Sequence, residues 1–224
     1  MRRLALLAQP PAIGQAKPRL SPALPPGAAA ALAGALLEDA VDAMRGAARP
    51  DERFLSWVGA DGTLLGREVP GGEDPGARLA AAFQSLVMVE GDRGVLFGAD
   101  CPSLTAGTID VAFEKLEGAD LVLAPTRAGG IGLIGLSRSA EALFRDVAWS
   151  SGRVLAALVE RAESLGLSVA LLDPVEDVDT AGDLCRLLAA AVTPGRAIGP
   201  STRLALGKLG MLPASLTAGR DSAR

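Results

Sequence analysis

The sequence predicts a three-layer α/β/α fold built on a mostly parallel sheet. Short apolar runs of strand length alternate with Ala- and Leu-rich stretches at helical spacing, the pattern of strands joined by crossover helices. The 224 residues are 49% hydrophobic and 21% charged, which suits one large domain with a sizeable core. No internal repeat of solenoid or propeller length is present.

Arg3-Leu4-Ala5-Leu6-Leu7-Ala8 reads as a buried first strand, ended by Gln9-Pro10-Pro11. The loop from Pro10 to Leu20 carries Gly14 and two cations, Lys17 and Arg19. Such a loop either brings backbone N–H groups and both cations against a diphosphate or is a solvated Pro-rich surface loop. It is not a Walker loop, because the Gly-Lys-Ser/Thr order is missing. From Gly27 to Met44 the residues Leu32, Leu36, Leu37, Val41 and Met44 fall at helical spacing. Phe54 to Val58 reads as a second strand closed by a turn at Ala60-Asp61-Gly62. Gly71 to Gly76 is read as a mobile loop, leading into a helix with Arg78, Leu79, Ala82, Phe83 and Leu86.

Val95 to Gly98 is a short buried strand, and the chain turns at Ala99-Asp100-Cys101-Pro102 because Pro102 cannot extend a central strand. Thr105 is placed to cap a helix with Ile109, Phe113 and Leu116 on one face. Asp100 then stands at the carboxyl end of a strand, where open α/β sheets place their ligands. The alternative is that it only caps the turn. Ala119 to Pro125 is another buried strand. Arg127 to Leu136 is a strand rich in glycine, which marks either the close approach of a ligand or backbone, or a bulge near a sheet edge.

A short helix near Glu141 to Phe144 is followed by a longer one opened by Ser150-Ser151-Gly152, with Val154, Leu155, Leu158 and Ala162 inward. Leu167 to Leu172 is a strand, and Thr180-Ala181-Gly182-Asp183 approximates a capping box ahead of Leu184, Leu187 and Leu188. Just before it, Asp177 and Asp179 lie two apart on an extended segment, so both point to one side. Like carboxylates facing one way repel unless a cation or donors lie between them, and hard divalent ions take such oxygen ligands. The domain is read as residues 1–192. Residues 193–224 are read as a basic tail, partly ordered at best, with one weakly helical patch from Leu204 to Leu212.

The net charge is −4, yet Arg196, Arg203, Lys208, Arg220 and Arg224 face only Asp221 near the end, so the body is more acidic than the whole. An acidic body that handles phosphates needs a divalent cation. Aromatics are 3% of the chain with no Tyr, which argues against a nucleic-acid reader with a basic face and stacking rings. There is no histidine, so neither Cys101 nor Cys185 has the usual base partner of a nucleophile, and two cysteines make no disulfide framework or zinc site. Met1-Arg2-Arg3 leads straight into a strand without a signal-peptide core, and no apolar run reaches spanning length. A cytoplasmic location is expected.

Several segments, in their order, resemble a bacterial family of uncharacterised GT-A-type nucleotide-diphospho-sugar transferases, some of them labelled arsenosugar-biosynthesis glycosyltransferases. They are Gln9-Pro10-Pro11, Gly14 with Lys17-Pro18-Arg19-Leu20, Gly76-Ala77-Arg78-Leu79 with Ala82-Phe83, and Gly98 to Leu104. Gly129-Gly130 with Leu133 to Leu136, Trp149-Ser150 and Asp177-Val178-Asp179-Thr180 complete the set, which spans roughly residues 3 to 190. The resemblance implies a Rossmann-like sheet with a nucleotide site over its amino-terminal half. It implies that Pro11, Gly14, Lys17, Arg19 and Arg78 bind the nucleotide, and that Gly129, Gly130 and Trp149 form the substrate pocket. Asp100, Asp177 and Asp179 would hold Mg²⁺ or Mn²⁺, with Asp100 and Asp179 as the catalytic carboxylates. The chemistry is coherent, since a divalent ion with Lys and Arg neutralises a diphosphate leaving group without a protein nucleophile.

Three functions are compatible with these residues. The first is metal-dependent transfer of a glycosyl group from a nucleotide-diphosphate sugar to a small-molecule acceptor. The second is nucleotidyl transfer, in which an NTP meets a small phosphorylated substrate and pyrophosphate leaves. The third is a degenerate, non-catalytic member that binds a nucleotide or a protein partner. The family usually has Lys-Thr-Arg-Leu where this chain has Lys17-Pro18-Arg19-Leu20, and aromatics where it has Ile131 and Gly132. It also has an aspartate where this chain has Ala128, and that lost carboxylate motivates the third reading. Nucleic-acid partners are not expected, and both a monomer and a homodimer are left open.

Overall fold

A computed structural model describes residues 1–57, 63–64, 67–68, 74–149, 151–195 and 198–213. In chain order the elements are β1 (Arg2–Ala8), α1 (Pro26–Gly46), β2 (Glu52–Trp57), β3 (Thr63–Leu64), β4 (Arg67–Glu68), α2 (Pro75–Leu86) and β5 (Arg93–Gly98). Then come α3 (Ala106–Lys115), β6 (Leu121–Pro125), β7 (Ile131–Leu136), α4 (Val154–Ser164), β8 (Val169–Leu171), α5 (Ala181–Val192) and α6 (Pro200–Lys208). The turn expected at Ala60-Asp61-Gly62, residues 71–73 of the expected loop, Ser150 and residues 214–224 of the expected tail lie outside the described residues.

Six strands form one sheet in the order β2-β1-β5-β7-β6-β8. The pairs β1/β2, β1/β5 and β6/β8 are parallel, and β7 runs antiparallel to both of its neighbours. β7 is the exception because β6 reaches it through a tight turn, closed by the Thr126 N–H donating to the Gly130 carbonyl at 3.0 Å. A parallel return would need a crossover of a dozen or so residues.

The strands alternate between two cores with period two. Ala5, Leu96, Leu121, Leu123, Ile134 and Leu136 pack with α2 and α4 on one face. Leu4, Leu6, Val95, Phe97, Val122 and Leu133 pack with α1 and α3 on the other. Phe97 and Phe113 are almost wholly buried, and burying such a side chain contributes about 1.5–3 kcal/mol. The helix starts follow the sequence. Thr105 and Thr108 form a reciprocal capping box on α3, Thr180 and Asp183 do the same on α5, and Asp74 caps α2 through the N–H groups of Gly76 and Ala77. No helix among the described residues is long and apolar enough to cross a membrane.

Part of the stretch read as a tail is folded. α6 starts with Pro200, and the Asp39 carboxylate of α1 accepts the N–H groups of Ser201 at 2.9 Å and Thr202 at 2.8 Å. Leu206 is fully buried in a third cluster with Leu32 and Leu36 of α1 and Leu184 and Leu187 of α5. The cap comes from another helix, so nothing in the local sequence announces it.

At the far edge, Asp120 ties β6 to the start of β8. Its carboxylate accepts the Ser168 N–H and the Ser168 Oγ–H, both at 2.9 Å, and pairs with Arg138 at 3.0 Å. The Ser168 N–H foremost, then its hydroxyl and the Arg138 charge, hold the carboxyl below the usual range. A carboxylate with a lowered folded-state pKa adds stability above its unfolded value of about 4, and that stability fades as the pH falls below it. Melting midpoints followed by circular dichroism should therefore drop more steeply between about pH 5 and pH 3 in the wild type than in Asp120→Asn. Parallel profiles would remove Asp120 from the acid sensitivity.

Candidate functional site

Three segments meet at the rim formed by the carboxyl ends of β1 and β5. The first is the loop after β1. Lys17 adopts a left-handed backbone, with φ 50° and ψ 52°, directly before Pro18, whose ring disfavours the right-handed helical region for the residue it follows. A left-handed conformation is uncommon for a residue with a side chain and often marks a functional site. Ala16 and Leu20 are buried on either side of it and anchor the loop.

The second segment is the turn after β5, which carries Asp100. The third, residues 175–179, runs beside that turn and is tied by hydrogen bonds to it and to the end of β6. The Val175 N–H donates to the Pro125 carbonyl at 2.8 Å, and the Val178 N–H to the Asp100 carbonyl at 3.0 Å. The Glu176 N–H donates to Ser103 Oγ at 2.8 Å. Asp100 and Asp179 are thereby brought to one place.

Lys17 joins them. Its Nζ donates to Asp100 Oδ1 and, at 3.0 Å, to Asp179 Oδ1. The Lys17 side chain is only 9% exposed, while Asp100 is 54% and Asp179 42% exposed. Burial alone would lower the Lys17 pKa, but the charges of Asp100 and Asp179 outweigh it and raise the pKa. The ammonium stays charged.

Behind this cluster lies a cavity of about 320 Å³ lined by Gln9, Lys17, Arg78, Asp100, Gly132 and Trp149 among others. Trp149 is set by an aromatic chain, its ring 6.4 Å from that of Phe144, which in turn stacks on Phe83 of α2 at 5.7 Å. Gln9 and Leu37 line the cavity too, although the sequence reading gave neither a place in the site. Gln9 had a signal, its position immediately after β1, whereas Leu37 reads like any apolar helix residue.

Asp177 has different surroundings from Asp179. It forms no ion pair with Lys17 and lines a second cavity of about 370 Å³ together with Arg127, Glu176, Asp183 and Arg186. Burial pushes its carboxyl up, its own N–H opposes this, and the charges of Asp183 and Asp179 add to the rise. Among the described residues no group of three or more acidic, histidine or cysteine side chains is arranged to hold a metal. The donor set at Lys17 is two carboxylates. That fits Mg²⁺ or Mn²⁺ taking its other ligands from phosphate and water, and does not fit an ion caged by protein.

The other predicted residues fall outside the cavity behind Lys17. Arg19 is exposed on the 3₁₀ turn Pro18–Leu20. Pro11 lies against α1, near Gly34, and Gly14, at φ 82°, faces open space. Gly129 and Gly130 belong to the turn between β6 and β7. Gly129 has φ 81°, and a Cβ there would run into the Gly152 carbonyl oxygen. This glycine lets the start of α4 close onto the turn, as the Leu155 N–H donates to the Gly129 carbonyl at 3.0 Å. Gly132, in β7, does line the cavity, as does Gly98 at the end of β5. A Cβ on Gly132 would stand 2.6 Å from Val175 Cγ2 and 2.7 Å from Cys101 Sγ. Burial, with Asp100 adding, pushes the Cys101 thiol far above its usual range, so it serves packing and not nucleophilic chemistry.

The sequence profile of a family described as an uncharacterized protein conserved in bacteria, DUF2064, matches residues 33–151. The chain belongs to this family. No curated protein matches it. Its fold is shared with a solved structure from Desulfovibrio desulfuricans G20, provisionally named a nucleotide-diphospho-sugar transferase. The two are 24% identical, with 96% of each chain covered and a TM-score of 0.80. Rv0371C of Mycobacterium tuberculosis H37Rv, solved with manganese, is 22% identical over 84% of this chain and 97% of that one, with a TM-score of 0.49. A CMP:2-keto-3-deoxy-manno-octonic acid synthetase solved with CTP is 12% identical over 83% and 96%, also with a TM-score of 0.49. These last two overlap too loosely to bear on this chain. The member of the DUF2064 family described here thus has the nucleotide-diphospho-sugar transferase fold.

The crowding at Gly132 is testable. Gly132→Ala should lower the unfolding free energy by about 1–3 kcal/mol in urea titrations, because the added methyl forces Cys101 and Val175 apart. Cys101→Ala in the same chain should restore part of the loss, and an unchanged midpoint in Gly132→Ala would mean that the two loops have slack.

Proposed function

We propose that this DUF2064 member transfers a glycosyl group from a nucleotide-diphosphate sugar to a small-molecule acceptor with the help of a divalent ion. The observation that carries the reading is the convergence of Lys17 with Asp100 and Asp179 at the mouth of a cavity that also presents Arg78. Lys17 and Arg78 bind the diphosphate and hold it in the cavity. Asp100 and Asp179 hold Mg²⁺ or Mn²⁺, which when bound neutralises charge developing on the diphosphate leaving group. The flat face of Trp149 gives an apolar wall for a ring of the substrate. No histidine or reactive thiol is required, in keeping with a chain that has no histidine and a Cys101 thiol kept protonated by burial.

Incubating the purified protein with Mn²⁺ and panels of nucleotide sugars and NTPs tests the reading by product. Slow hydrolysis of a nucleotide sugar is expected. Pyrophosphate release from an NTP would reassign the site to nucleotidyl transfer, and the absence of any nucleotide-dependent thermal shift would leave a non-catalytic binding protein. In calorimetry, Asp100→Ala should weaken metal-dependent nucleotide binding more than tenfold, about 1.4 kcal/mol or more. Unchanged affinity would remove Asp100 from the site.

A further inference from the structure

We infer that Lys17 is the internal cation of this site: its ammonium occupies the position between Asp100 and Asp179 that a divalent ion would take, so the ion enters only as a diphosphate draws the ammonium away. The inference rests on the proposed function for the identity of both ligands, and on the geometry for the rest.

One nitrogen reaches both carboxylates, so the gap between them is the size of a single cation. Lys17 is the only partner in an ion pair with either acid among the described residues. An ammonium and a divalent ion cannot share that gap, because like charges a few ångströms apart repel strongly in a half-buried site. Nor can the loop withdraw as a whole, since buried Ala16 and Leu20 and the Pro18 ring fix the backbone on both sides of Lys17. Only the side chain can move, and it lines the same cavity as Arg78, so a rotated ammonium still faces the place where phosphate oxygens would lie. With metal and diphosphate both bound, the carboxylates face the metal and the ammonium faces the phosphates, and no charge is left unpaired. Metal alone must instead displace Lys17 into a cavity whose one acidic lining residue, Asp100, is then taken by the metal. Binding of metal and of diphosphate is therefore strongly coupled, and by linkage each tightens the other by the same factor.

The test uses Mn²⁺ with or without inorganic pyrophosphate, reading free Mn²⁺ by electron paramagnetic resonance and total binding by calorimetry. In the wild type, Mn²⁺ alone should bind at least tenfold more weakly than in the presence of pyrophosphate. In Lys17→Met, Mn²⁺ alone should bind at least tenfold more tightly than to the wild type, and pyrophosphate should add little. Lys17→Arg keeps the charge and should bind Mn²⁺ alone as weakly as the wild type. Lys17→Gln repeats the uncharged case if the methionine variant does not fold. If neither uncharged variant binds Mn²⁺ more tightly than the wild type, while the wild type still binds Mn²⁺ with pyrophosphate, the internal-cation role is overturned and the proposed function stands. If no form binds Mn²⁺ with or without pyrophosphate, both fall together.

Discussion

The backbone holds Asp100 and Asp179 within reach of one ammonium, and the like charges of the two carboxylates make a cation between them favourable. The segment 175–179 is hydrogen-bonded to the end of β6 and to the turn after β5, so its position follows from the sheet. That sheet position depends in turn on Gly132. Cys101 from the β5 turn and Val175 from the later segment both press on the face of β7 where a side chain would otherwise stand. Remove the glycine and the two acidic loops must part. The close packing at β7 and the charge pairing at Lys17 are two ends of one arrangement, the first forcing the carboxylates together and the second making their proximity tolerable.

The same chain of contacts explains what could be read from the sequence. Elements written locally were legible: the buried apolar runs of β1, β5 and β6, the amphipathic α1, α2 and α3, and the caps Thr105 and Thr180 all rely on residues close in sequence. α6 was legible only as a weak helical patch from Leu204 to Leu212, and its start and docking were not, because its cap is Asp39, well over a hundred residues earlier, and its buried Leu206 sits in a stretch of low overall apolarity. The antiparallel course of β7 also escaped, although the short spacing after Pro125 carried the information, since too few residues separate the two strands for a crossover.

Within the site, sequence reasoning succeeded at strand ends, where the sheet fixes a residue's place. Asp100 was placed by the rule that ligands gather at the carboxyl edge of a sheet, and it stands there. Asp177 and Asp179 were expected to face one way because they lie two apart in an extended segment. Their partners differ: Asp179 pairs with Lys17, while Asp177 lines another cavity beside Arg127 and Arg186 and still feels the charges of Asp179 and Lys17. Period-two reasoning holds for a strand in a ladder, and this segment contributes only one isolated bridge, Thr126 to Val175. The glycines show the same limit. Gly129 and Gly132 look alike in sequence, yet one admits the backbone of the α4 approach and the other admits two side chains.

The resemblance read from the sequence implies an aspartate at position 128, where this chain has alanine. Ala128 is exposed in the turn after β6, next to Gly129, and does not line the cavity behind Lys17. A missing carboxylate at that turn takes nothing from the grouping of Lys17, Asp100 and Asp179, and nothing from Arg78. The charge pairing that would capture a metal and a diphosphate is held by the β1, β5 and 175–179 segments alone. Ile131 and Gly132, by contrast, belong to β7 and line the cavity itself, Gly132 against Cys101 and Val175 of the loops that carry the two acids. On the proposed function, a change confined to that exposed turn would bear on the acceptor and leave the grouping of Lys17 with Asp100 and Asp179 as it is.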